Sequence, residues 1–159
     1  MANITLISVG TLKENYLKDA VNEYSKRISQ YAKLEEVSIK EEKISNEDDP
    51  AEIKRALEAE SKKILAAIPK GSATIALCVE GKQYDSVKLA SEIGKMIDDC
   101  GKITLIIGSS HGLADTVKRE CDLRLSVSAL TFPHQLMRVI LLESLYRSFT
   151  ILAGKKYHK

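Results

Sequence analysis

The chain has 159 residues, 44% of them hydrophobic and 29% charged, with a formal net charge of +2. This is the profile of one ordinary globular domain, long enough to bury a core without disulfides or metals. Cys78, Cys100 and Cys121 are odd in number and widely spaced, which fits reduced thiols in a cytoplasmic protein better than a disulfide framework. His111, His134 and His158 form no short-spaced cluster with one another or with the cysteines, so no metal site is expected.

Met1-Ala2-Asn3-Ile4 leads straight into a strand pattern, without a charged leader. No apolar stretch approaches the roughly 18 residues of a membrane span, so neither a signal peptide nor a membrane partner is expected. Ile4 to Val9 is the first predicted strand, closed by Gly10. Leu12, Tyr16, Ala20, Tyr24 and Ile28, flanked by Leu17, Val21 and Tyr31, recur at helical spacing and predict a helix of about five turns. Its tyrosines could form a base-stacking platform, but aromatic residues at this spacing read first as core. Leu34 to Ile39 alternates apolar and polar residues, as a half-exposed strand does.

Glu41 to Asp49 is acidic, aperiodic and therefore a surface loop. Asp49-Pro50-Ala51-Glu52 predicts a helix start, with aspartate as cap, proline in the first turn and Glu52 placed to complete a capping box. That helix runs through Ile53, Leu57, Ile64 and Ile68 to Pro69-Lys70-Gly71. Thr74 to Val79 is a third strand, followed by Glu80-Gly81-Lys82, and Asp85-Ser86 caps a helix that ends at Gly101.

The most informative stretch lies between Ile103 and Tyr146. Ile103 to Ile107 is a short buried strand that leaves the sheet through Gly108-Ser109-Ser110-His111-Gly112. A short helix between Leu113 and Asp122 precedes a strand, Leu123 to Ser126, and a loop, Val127 to Phe132. Pro133-His134-Gln135-Leu136-Met137-Arg138 then opens the last helix, whose apolar residues cover more than one face. Five strands alternating with helices predict a single α/β domain over 1–159, with a mainly parallel five-stranded sheet and helices on both faces. Ligands of such sheets sit at the carboxyl ends of the strands, where Leu77, Gly108 and the Val127 to Phe132 loop fall.

Three features frame the chemistry. From Arg138 onward five basic residues face one acid, Glu143, so this segment carries +4 and the remainder −2. Such a tail either lies along phosphates or is a solvated terminus. Gly108-Ser109-Ser110-His111-Gly112 matches the G-x-S-x-G nucleophile elbow, with Asp115, Asp122, His134 and His158 downstream, yet only one strand follows Ser110 where an α/β-hydrolase needs more. No G-x-G-x-x-G follows a strand, which disfavours a dehydrogenase.

From Ile4-Thr5-Leu6-Ile7-Ser8-Val9-Gly10 through Val79-Glu80-Gly81-Lys82 to Tyr157-His158-Lys159, the chain resembles the RlmH family of SPOUT-class methyltransferases. The most specific piece is Leu125-Ser126 through Thr131-Phe132-Pro133-His134-Gln135-Leu136-Met137-Arg138, then Glu143-Ser144-Leu145-Tyr146-Arg147. One departure is Ser109, where the family turn usually carries a second glycine. The resemblance implies a homodimer whose C-terminal segment is threaded into a trefoil knot, using S-adenosylmethionine to methylate N3 of a pseudouridine in 23S ribosomal RNA within the assembled ribosome. It implies cofactor contacts at Leu77, Gly108, Val127, Ser128, Ala129, Leu130, Thr131 and Phe132.

The terminal Tyr157 and His158 can stack on a base and relay a proton, so they are candidate catalytic residues together with His134. Arg147, Lys155, Lys156 and Lys159 are candidate RNA contacts. Each has a plainer reading: His134 can simply support the loop near Thr131, and Arg147 can pair with Glu143 at i,i+4 spacing. A non-catalytic RNA- or ribosome-binding module of the same fold is the alternative function.

Overall fold

The computed structural model describes residues 1–159 and contains five strands and five helices in alternation. These are β1 Ala2–Val9, α1 Asn15–Ile28, β2 Ala32–Ile39, α2 Pro50–Ala67, β3 Ala73–Lys82, α3 Ser86–Cys100, β4 Lys102–Ile107, α4 Asp115–Glu120, β5 Leu123–Leu125 and α5 His134–Leu152. The sheet order is β2-β1-β4-β3-β5, and every neighbouring pair is parallel rather than merely most of them. Ile4 stands opposite Leu34 on one side and Ile103 on the other, and Ile75 opposite Leu105 and Leu123.

Alternation along each strand sends side chains to two separate cores. Ile4, Leu6, Ile75 and Leu105 pack with Val21 of α1, Ile93 of α3 and Leu142 and Leu145 of α5. On the other face Ile7, Val9, Ala76 and Ile106 pack with Ile64 of α2 and Val117 of α4. Burial on both faces explains why the central strands read as unbroken apolar runs.

Local signals account for most boundaries. The Asp49 carboxylate accepts from the Ala51 N–H at 3.0 Å, and Pro50 occupies the first turn of α2. The expected capping box does not form: Glu52 instead accepts from the N–H groups of Ser45 and Asn46, tying down the acidic loop before the helix. Asp85 caps α3 through the Lys88 N–H at 2.8 Å. Helix α1 starts at Asn15 and is shorter than the spacing predicts, and Tyr16 is 69% exposed rather than core. Tyr24 and Tyr31 do pack against the core.

Two consequences of this topology position the site. Because β3 lies between β4 and β5, the segments leaving those two strands flank the end of β3. Strand β3 also runs past its predicted end: Leu125 pairs with both Leu77 and Lys82, so Cys78 to Gly81 form a bulge at the sheet's carboxyl edge. Gly81 permits that return, since a Cβ there would stand 2.7–2.8 Å from the backbone of Arg124 and Leu125.

Candidate active site

Three backbone segments build one cavity. Behind β4, the turn from Gly108 to Gly112 closes on itself: the Gly112 N–H donates to Ser109 O at 2.9 Å, and the His111 N–H donates to Ser109 Oγ at 3.3 Å. No non-glycine residue in the chain has positive φ, so Ser109 fits this turn without strain despite departing from the family glycine. Behind β5, Ser126 is buried and uses both its groups. Its N–H donates to Lys82 O at 2.9 Å and its hydroxyl to Ser128 O at 3.0 Å. The Ser128 hydroxyl accepts in turn from the Leu130 N–H at 3.0 Å, a local side-chain turn that holds the loop open without secondary structure. The third segment is the Cys78 to Gly81 bulge.

Between them lies a cavity of about 490 Å³, the size of a small-molecule site. Its apolar wall includes Leu77, Ile107, Leu125, Val127, Leu130, Phe132 and Met137. Of the expected cofactor contacts, Leu77, Gly108, Val127, Ser128, Leu130, Thr131 and Phe132 line it, as does His134. Ala129 is exposed and lies outside the lining.

The lining also holds an ion pair that motif reading missed: Lys118 Nζ of α4 donates to Glu80 in the bulge. The Lys118 side chain is only 17% exposed, and its hydrogen bond holds the Glu80 carboxyl below the ordinary carboxylate range. Next to it, burial and then the Glu80 charge push the Cys78 thiol up. A signal for this pair was present in principle. Glu80 immediately follows the predicted third strand and Lys118 sits in the helix after the Gly108 turn, but their meeting depends on strand order.

The C-terminal candidates form a second group. Tyr157, His158 and Arg147 do not line the cavity. Arg147 and Glu143 border a smaller cleft of about 150 Å³, which shares the wall Leu125, Ser126 and Val127 with the cavity. Arg147 pairs with Glu143 at 2.7 Å, as the i,i+4 spacing predicts. Lys155, Lys156 and Lys159 are exposed. Arg138 is a different case from the other basic residues of this segment. It is buried, its guanidinium donates to Gly10 O at 3.2 Å, and its Nε has no partner. It therefore cannot lie along phosphates with the tail, and burial lowers its pKa.

The hydrolase reading loses one of its two candidate acids. The Asp122 carboxylate accepts from the Thr74 N–H at 2.8 Å and the Thr74 hydroxyl at 3.1 Å, at the opening of β3 and the opposite end of the sheet from Ser110. No group of three or more metal-ligating side chains is assembled, and no helix is long and apolar enough to cross a membrane.

Comparison with known proteins bears on this geometry. The family model described as "Predicted SPOUT methyltransferase" matches residues 2–158. A ribosomal RNA large subunit methyltransferase H from Caldicellulosiruptor bescii is 46% identical over 98% of this chain and 99% of that protein. Its namesake from Clostridium acetobutylicum is 44% identical over 99% of both chains. Among solved structures, a Bordetella pertussis protein titled a probable methyltransferase superposes with a TM-score of 0.59 at 14% identity, covering 93% of this chain and 96% of that one. A probable methylase family protein from Haemophilus influenzae gives 0.55 at 15% identity, covering 98% and 70%. At those identities the two structures speak for the fold alone. The family-model match and the full-length identities show that the chain belongs to the SPOUT methyltransferase family, among its ribosomal RNA large subunit methyltransferase H members.

Proposed function

We propose that this chain transfers a methyl group from S-adenosylmethionine to N3 of a pseudouridine in 23S ribosomal RNA, acting as a cytoplasmic homodimer on the assembled ribosome. Family membership supports the ribosomal RNA methyltransferase activity. The choice of atom and substrate form rests on the motif resemblance. The observation that carries the cofactor is the cavity itself. Its apolar wall suits an adenine, the free backbone groups of the Gly108 and Val127 to Phe132 segments suit ring nitrogens and ribose hydroxyls, and the Glu80–Lys118 pair matches a zwitterionic amino-acid arm. S-adenosylmethionine, when bound, supplies a methyl already activated on sulfonium.

The chain's own part is then placement and proton handling. Leu77, Val127, Leu130, Thr131 and Phe132 would hold the donor and keep water from it. His134 stands in the wall of the same cavity, within the first turn of α5, where it can support the loop or take a proton. Tyr157 and His158 line neither the cavity nor the cleft beside it but contact Glu143 and Arg147 at that cleft's border; in this reading they serve the pocket of a second copy, with Arg147, Lys155, Lys156 and Lys159 holding RNA. A knotted passage of the segment from β5 through α5 belongs to the same proposal.

The test is methyl transfer from labelled S-adenosylmethionine to ribosomes purified from cells lacking this protein. Label in 23S RNA is expected. Cofactor binding without transfer, or no cofactor binding at all, would favour the non-catalytic binding module.

A further inference from the structure

Helix α5 ends in a turn that sends the chain back along its own surface. Gly154, at φ +67°, adopts the left-handed conformation, and the Lys155 N–H donates to Thr150 O at 2.9 Å. The returning residues meet a single carboxylate. Glu143 Oε1 accepts from Arg147 Nη2 at 2.7 Å and from the Tyr157 hydroxyl at 3.0 Å, while its Oε2 accepts from Arg147 Nε at 3.4 Å. The Arg147 guanidinium lies over the Tyr157 ring, 4.7 Å from its centre, and Tyr157 packs edge-on against Tyr146. Arg147 Nη1 then faces His158 Nδ1 at 3.3 Å.

That last contact has a chemical direction. A guanidinium has only donors to offer, so Nδ1 must accept, and a neutral imidazole that accepts at Nδ1 carries its hydrogen on Nε2. A ring so held presents an N–H outward and has no free lone pair with which to take a proton. Glu143 sets this arrangement, because its two oxygens orient the fork of Arg147 and anchor Tyr157, one residue before the histidine.

We propose that Glu143, acting through Arg147, is a positioning residue that holds His158 as the Nε2–H tautomer, so that the tail offers the substrate a hydrogen-bond donor rather than a base. This inference rests on the reading above that the tail serves the methylated base. A donor has a use there: when a uracil-type ring loses its N3 proton, negative charge gathers on the flanking carbonyl oxygens, and an N–H aimed at one of them stabilises it.

Nitrogen-15 NMR of the uniformly labelled full-length protein tests the tautomer, with the three histidines assigned by substitution. The signals of the neutral His158 ring should be those of the Nε2–H tautomer. In Glu143→Ala and Arg147→Ala they should shift toward a mixture of tautomers. Methylation of ribosomes from cells lacking the protein supplies the second readout. Glu143→Ala should lower kcat by about tenfold or more with the KM for S-adenosylmethionine unchanged. The same substitution in a chain truncated after residue 156 should add no further loss, because residues that act through one another are not additive. His158→Gln, which keeps an N–H donor, should retain more activity than His158→Ala. Full activity of the truncated chain would remove the reading on which this rests. An inactive truncation combined with an Nδ1–H tautomer, unmoved signals in Glu143→Ala, or additive losses would overturn the positioning role while leaving that reading in place.

Discussion

A Cβ atom placed on Gly108 would stand 2.2 Å from the carbonyl oxygen of Gly112. The glycine is therefore required by the turn's own backbone as well as by any ligand that approaches it. Gly108→Ala should lower the melting temperature, by an amount equivalent to about 1–3 kcal/mol, and weaken S-adenosylmethionine binding together. Thermal melts run beside calorimetric titrations check this. Lost binding with an unchanged melt would show that the turn can give way and that the ligand alone demands glycine.

A cleaner probe of the cavity is Leu130, which is 70% exposed and contributes little to the core. If it covers the bound cofactor, Leu130→Ala should leave stability unchanged and raise the dissociation constant by about tenfold, the loss of part of a leucine's burial. Calorimetry decides it, and equal affinity would remove the loop tip from the site.

Cys78 reports on the same cavity through its reactivity. Its thiol is raised above its ordinary value by burial and the nearby Glu80 charge, so little thiolate exists at neutral pH. Alkylation at Cys78 should be slow near pH 7, accelerate only as pH climbs past the usual thiol range, and be blocked by S-adenosylhomocysteine at every pH. Peptide mass spectrometry after timed iodoacetamide exposure measures each part. Rapid labelling at neutral pH, or labelling indifferent to the ligand, would contradict the placement of Cys78 in the cavity wall.

The elements and the strand ends that line the candidate cavity were legible in the residue pattern, because unbroken β-branched runs, the caps at Asp49 and Asp85 and the stop at Gly101 are local signals. What was hidden depends on which strands lie side by side. The bulge from Cys78 to Gly81 exists because β3 pairs twice with Leu125, and the Glu80–Lys118 pair forms because that bulge faces α4. Tyr16 continues a helical spacing, but nothing packs over it within one chain, and periodicity alone does not say where a face ends. The burial of Arg138 was equally invisible, since a basic residue in a basic segment reads as solvated until the helix is seen against Gly10.

Helix α5 buries Leu141, Leu142, Leu145 and Phe149, while Leu136, Val139 and Ile140 remain partly exposed. Together with exposed Tyr16, this surface favours pairing with a second copy. Sedimentation at micromolar concentration should give about twice the 17.6 kDa of one chain. A charged substitution, Ile140→Glu, should shift the mass toward one chain. A single-chain mass for the unaltered protein would remove the shared site.

The proposed methyl transfer to N3 of a pseudouridine is tested most directly in the RNA. Ribosomal RNA from cells with and without the gene for this chain can be digested to nucleosides and compared by mass spectrometry. N3-methylpseudouridine from the large-subunit RNA should disappear in the deletion and return when the intact gene is restored. An unchanged level of that nucleoside in the deletion, or the loss of a different methylated nucleoside, would contradict it.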